Sequence, residues 1–138
     1  DGQKHSPVLL HRAIFGSLER FIGIFIEHHA GNLPLWLSPL PVKVLTITSK
    51  ADDYAKDIVK KLRAVGIESE CDIRNEKISY KVREHSHAKI PILMTVGDRE
   101  IENESVTLRR LGSKDQKTMS LKEAIKGIED EITARSST

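Results

Sequence analysis

With 138 residues, 38% of them hydrophobic and 30% charged, the chain is about one domain long and able to bury a single core. Its formal net charge of only +2 excludes nucleic-acid binding as a bulk polycation, so any such contact has to come from a local patch. A lone Cys71 excludes an internal disulfide, no Cys-x-x-Cys pair is present to hold zinc, and the longest apolar run, around residues 21–26, falls far short of the roughly 20 residues that span a bilayer. A reducing, cytoplasmic setting without membrane attachment is the expectation, and no signal-peptide flanks are visible.

In chain order, Pro7-Val8-Leu9-Leu10-His11-Arg12-Ala13-Ile14-Phe15 reads as a strand, and Gly16-Ser17 breaks it before a helix that Ser17 caps and Gly31 ends. In that helix Phe21, Ile22, Ile24, Phe25 and Ile26 leave almost no polar face, so it needs more cover than this short segment supplies. The chain opens at Asp1 rather than Met with a structural motif almost at once, and reads as a piece of a longer protein. Pro34, Pro39 and Pro41 then remove backbone donors and discourage regular structure, which places a linker at 34–41 between a first unit, 1–33, and a second, 42–138.

The second unit begins with a strand, Val42 to Thr48, after which Ser49-Lys50-Ala51-Asp52 resembles a capping box opening a helix striped by Tyr54, Ile58, Leu62 and Val65. Gly66 ends that helix; Ile67 to Ile73 read as a strand, Ile78 to about His87 as a helix and Pro91 to Val96 as a third strand. A tight Asp98-Arg99 turn and a strand over Ser105 to Leu111 follow. Ser120-Leu121-Lys122-Glu123 is a second capping box, opening a helix whose Leu121, Ile125, Ile128 and Ile132 form the clearest apolar stripe in the chain. The order β-α-β-α-β followed by a further strand predicts an α/β fold: a mixed, mainly parallel sheet flanked by helices, preceded by a strand-helix remnant of another domain.

Ligands of open α/β sheets gather beyond the carboxyl ends of the strands. There the second strand runs into Arg74-Asn75-Glu76-Lys77, and between 74 and 89 the bases Arg74, Lys77, Lys81, Arg83 and Lys89 outnumber Glu76 and Glu84. Asparagine offers donor and acceptor to a base edge, and arginine a rigid fork for guanine or phosphate. A solvated helix face laced with Lys81 and Glu84 pairs would look the same from charge alone. His11, His28 and His29 do not make a local zinc site, because neighbouring helical positions point about 100° apart and no cysteine lies nearby. Arg20, one turn into an apolar helix, needs a carboxylate near Glu19 or a ligand. No Gly-x-Gly-x-x-Gly, Gly-Lys-Ser/Thr or nucleophile-elbow motif occurs, which excludes the commonest nucleotide-fold and hydrolase readings.

The segment from His11 to Gly23 (His-Arg-Ala-Ile-Phe-Gly-Ser-Leu-Glu-Arg-Phe-Ile-Gly) resembles motif 3 of the threonyl-tRNA synthetases, and Pro34-Leu35-Trp36-Leu37-Ser38-Pro39 resembles that family's link into its anticodon domain. Asp72 to Glu84 and Val96-Gly97-Asp98-Arg99-Glu100 look like signature segments of the same domain, in order, so the likeness covers essentially the whole chain. The resemblance implies a class II ligase that activates threonine with ATP and magnesium and transfers it to its tRNA, homodimeric through its catalytic domain. Arg20 would be the catalytic arginine packing on the adenine, with Ser17 at the mouth of the ATP site, and His11 one of three zinc ligands that select threonine by its hydroxyl. The remaining ligands would lie upstream, so this piece alone is expected to be inactive and to need no cofactor. Asn75, Lys77, Arg83, Glu100 and Arg109 match the positions associated with reading the second and third anticodon bases, G and U, of threonine tRNA. Ser79 stands where a glycine is usual, and Asn103-Glu104 replaces a Gly-containing turn. The alternative is a non-catalytic interaction domain of the same fold, such as a polymerase accessory subunit, for which retention of His11 and Arg20 would have no purpose. Prolyl, glycyl and histidyl synthetases share the domain but not the His11 to Gly23 segment.

Overall fold

The computed structural model describes residues 2–135. Residues 42–134 fold around a five-stranded sheet of order β2-β1-β3-β4-β5, in which β1 (Val42–Thr46), β2 (Ser69–Asp72) and β3 (Ile92–Val96) are parallel. β4 (Ser105–Arg110) and β5 (Gln116–Ser120) continue it antiparallel, with Met94 opposite Leu108 and Arg109 opposite Gln116. The mixed, flanked sheet is the fold class read from the pattern of elements. The last strand was not legible: Gln-Lys-Thr-Met-Ser points only Met119 toward the core, because an edge strand with one bare face needs no alternation of apolar residues.

Alternation along the strands sorts the core into two unequal layers. On one face Val42, Val44, Ile92, Met94, Val96 and Val106 pack against α2 (Asp52–Ala64) and α5 (Leu121–Ala134), through Ala55, Ile58, Leu62, Leu121, Ala124 and Ile128. On the other, Leu45, Leu93 and Ile90 form a smaller apolar cluster with Leu40 and with Ile78 and Val82 of α3 (Ile78–His87). This second layer does not extend to β4 and β5, so half of that sheet face carries Thr107, Arg109, Gln116 and Thr118 beyond the cover of α3.

Local punctuation follows the sequence in most places. Gly66, at φ +79°, lets the Ile67 amide donate to the Leu62 carbonyl at 3.0 Å and ends α2. The Ser120–Glu123 capping box forms as read. The box read at Ser49 does not: residues Ser49–Ala51 make a 3₁₀ turn in which the Ala51 amide donates to the Thr48 carbonyl, and no side chain caps α2. The turn read at Asp98-Arg99 is instead a short helix, α4 (Asp98–Glu102), started by Glu100, whose carboxylate accepts from the Gly97 amide at 3.0 Å.

The strand read from Pro7 to Phe15 is corrected. Residues 2–17 form no regular element, and Val8, Leu9, Leu10 and Ile14 are exposed. A strand exists only as part of a ladder, and neither edge of the sheet, β2 or β5, has this segment beside it. The helix that follows, α1 (Leu18–His28), is capped by Ser17 and closed by Gly31 as read, but buries no residue. Its apolar positions face solvent, with Phe15, Phe21 and Phe25 stacked along one side. No described helix is long and apolar enough to cross a membrane.

Candidate functional site

The bare half of the sheet and the outer flank of α3 enclose an open groove of about 700 Å³. Ile47 and Thr95 lie in its floor, Ser79, Val82, Arg83, Ser86 and His87 form the helix wall, and Arg109 and Gln116 stand on the opposite wall. Arg109 reaches it because the β4 register sets Arg109 two residues from Thr107 on the uncovered face, opposite Gln116 of β5. Arg83 reaches it because it lies one residue past Val82, on the edge of the stripe that anchors α3.

The two guanidinium groups in this groove differ from those of Arg63, Arg74 and Arg110, which are neutralised. Arg63 pairs with Glu68, Arg110 with Glu131, and Arg74 with Asp72 and Glu84. Among the described residues, Arg83 and Arg109 have no carboxylate partner. An unneutralised pair of forks beside hydroxyl, amide and imidazole groups, over a shallow apolar floor, suits an unstacked nucleotide, with its planar base and anionic phosphate.

The other residues read as base contacts stand around this groove rather than in its lining. Asn75 and Lys77 are exposed on the segment joining β2 to α3, which delivers Ile78 and Ser79 to the groove. Glu100 sits at the start of α4, half-buried; its Oε1 accepts from the Thr107 hydroxyl at 3.1 Å and its Oε2 from the Gly97 amide. Both oxygens keep a further lone pair. Ser79 takes the place of the usual glycine without displacing the helix start, since α3 begins at Ile78 as expected.

The charge count around 74–89 needs revision. Lys81 does not pair with Glu84 on a solvated face: it is 1% exposed, and its ammonium donates to the carbonyls of Thr46 and Asp72, both at 3.0 Å. Asp72, also buried, accepts from Arg74 Nε at 3.0 Å and Nη2 at 2.6 Å, and lies 2.8 Å from His85 Nε2. The Arg74 bonds, joined by His85, the Arg74 amide and the nearby Lys81, hold the Asp72 carboxyl well below the usual carboxylate range despite its burial. Asp72 and Glu84 in turn push Arg74 up. This node was missed although its signal was present: positions 78, 81, 82 and 85 are the inward stripe of a helix, and two of them are Lys81 and His85.

Toward the amino end, Arg20 is exposed on α1 rather than buried, and Glu19 takes the Ser17 hydroxyl at 2.8 Å instead of pairing with it. A backbone hydrogen bond, and after it the same hydroxyl, holds the Glu19 carboxyl low. His11 is exposed, and among the described residues no three histidine, cysteine or acidic side chains gather to hold a metal.

Comparison with known proteins bears on the family of the chain. Residues 41–131 match the family described as the anticodon binding domain. The threonine–tRNA ligase of Parvibaculum lavamentivorans is 59% identical over 133 residues, 96% of this chain and 20% of that protein. The threonine–tRNA ligase of Novosphingobium aromaticivorans is 60% identical over 134 residues, 97% of this chain and again 20% of that protein. Among solved structures, the RNA binding domain of threonyl-tRNA synthetase from Cryptosporidium parvum superposes with a TM-score of 0.81 at 31% identity, covering 86% of this chain and 30% of that one. The chain spans about a fifth of the length of the curated relatives it matches. From its fold, its open arginine-lined groove and these likenesses, the chain belongs to the anticodon-binding domain family, in the form carried by threonyl-tRNA synthetases.

Proposed function

We propose that the groove between α3 and the β4–β5 hairpin binds the anticodon loop of threonine tRNA, with Arg83 and Arg109 as forks, Asn75 and Lys77 reaching in from the β2–α3 segment, and Glu100 accepting from guanine. The observation that carries this is the convergence of two arginines without carboxylate partners on the half of the sheet face that α3 leaves uncovered. Anticodon bases are splayed in a loop and open to reading on their Watson–Crick edges, which fork donors and amides match. The second and third bases, G and U, are the ones proposed to be read.

In the longer proteins that this chain resembles, the proposed role is to hold threonine tRNA for a cytoplasmic, homodimeric ligase that activates threonine with ATP and magnesium. Ser17 and Arg20 are then assigned to the ATP site and His11 to a zinc site completed by residues outside this chain. The unit 42–138, joined through 34–41 to the segment 1–33, is the part assigned to RNA. Kinship with full threonine–tRNA ligases favours this reading over a non-catalytic accessory domain.

Titration of threonine tRNA against the chain and its Asn75→Ala, Arg109→Ala double variant tests the residue assignment. Each lost base contact is expected to weaken binding by about 1–3 kcal/mol. Unchanged affinity in the double variant overturns it.

A further inference from the structure

The β1–β2 ladder stops at the Leu45–Asp72 pair, although β1 stays paired with β3 as far as Thr46 and Val96. In the gap where β2 leaves β1, the Thr46 hydroxyl donates to the Asp72 carbonyl at 3.3 Å. The ammonium of Lys81 closes the same gap from α3, donating to both strand-end carbonyls, with Thr46 Oγ1 at 3.4 Å and Asp72 Oδ1 at 3.9 Å.

A lysine is an unfavourable filler for such a gap. A buried ammonium needs partners on every side, and an apolar side chain of similar volume commonly serves stability as well or better. What an apolar side chain cannot do is fix the separation of two carbonyl oxygens. That separation sets the direction in which β2 runs on into residues 73–77, where Asn75 and Lys77 stand. The same segment is fastened at both ends. At its start the Asp72 carboxylate accepts from the Arg74 amide at 3.1 Å and from the Arg74 guanidinium, and at its end the Lys81 amide donates to the Lys77 carbonyl at 3.2 Å.

We propose that Lys81, together with Asp72, is a positioning pair that sets the course of residues 73–77 and so the points from which Asn75 and Lys77 meet the RNA; this rests on the groove reading given above. Neither residue of the pair touches a base. Their effect is on geometry, and it separates from a merely structural role in base discrimination at unchanged fold.

The test measures binding of the whole chain to an anticodon stem-loop RNA with G and U at the second and third positions, and to two RNAs with either base replaced by A. Wild-type chain is expected to prefer the first RNA. Lys81→Met, folded by circular dichroism, is expected to lose about tenfold on that RNA and to stay within about twofold on the others, so that the preference collapses. Should Lys81→Met not fold, Arg74→Gln, which cuts the outer fastening at a half-exposed residue, carries the same expectation. A wild-type chain that does not distinguish the RNAs overturns the groove reading and this inference with it. A folded variant that keeps the wild-type preference overturns the inference alone, and an equal loss on all three RNAs does so too, since that is the signature of a lost phosphate contact.

Discussion

At Asp72, two bonds from the Arg74 guanidinium outweigh the desolvation of a carboxylate that the end of β2 has buried. Because the folded-state group is held below its unfolded value of about 3.9, its contribution to stability is present above that pH and fades as acid protonates it. Asp72→Asn is therefore expected to destabilise the chain by on the order of 3 kcal/mol at neutral pH, by leaving Lys81 buried without its counter-ion. The gap between variant and wild type should narrow as pH falls below about 4. Urea unfolding at pH 7 and in acid measures both; a gap of equal size at both assigns the loss to packing. The same residue shows how site chemistry hides in a sequence. Arg74, Asn75 and Lys77 stand out by type, whereas the role of Lys81 depends on its position in the inward stripe of α3, where a charged residue is least expected.

Elements with a one-sided apolar pattern were legible and those supported by tertiary contacts were not. The stripe of Leu121, Ile125, Ile128 and Ile132 and its capping box located the start of α5 to the residue, because helix period and cap chemistry are local properties. The start of α2 was misread since Ser49 turns through a 3₁₀ step first, and β5 was passed over because its neighbour β4, not its own composition, makes it a strand. The α5 cap also gives a direct test. The Ser120 hydroxyl accepts from the Glu123 amide at 3.3 Å and donates to the Glu123 carboxylate at 2.8 Å. Ser120→Ala is expected to cost about 1 kcal/mol. That should lower the thermal midpoint by roughly 3–6 °C in calorimetry. An unchanged midpoint would mean that packing of Leu121 and Ala124 alone starts this helix.

Across the whole molecule, burial is concentrated in residues 34–134, and α1 contributes none of it. Removing residues 1–33 is therefore expected to leave the unfolding free energy within about 1 kcal/mol, whereas a cut beyond Leu35, which is 4% exposed and packs in the main core, should be damaging. Denaturant unfolding of the two truncations distinguishes them, and loss of a cooperative transition in the first would place the domain start earlier than 34. The fold class was readable from the β-α-β-α-β order, but the location of the groove was not, since it is created by the limited reach of one helix across a wider sheet. That mismatch in width has a consequence of its own. Thr95, Arg109 and Gln116 point away from the thick layer that keeps the chain folded, so the lettering on this side can be altered without disturbing the masonry behind it.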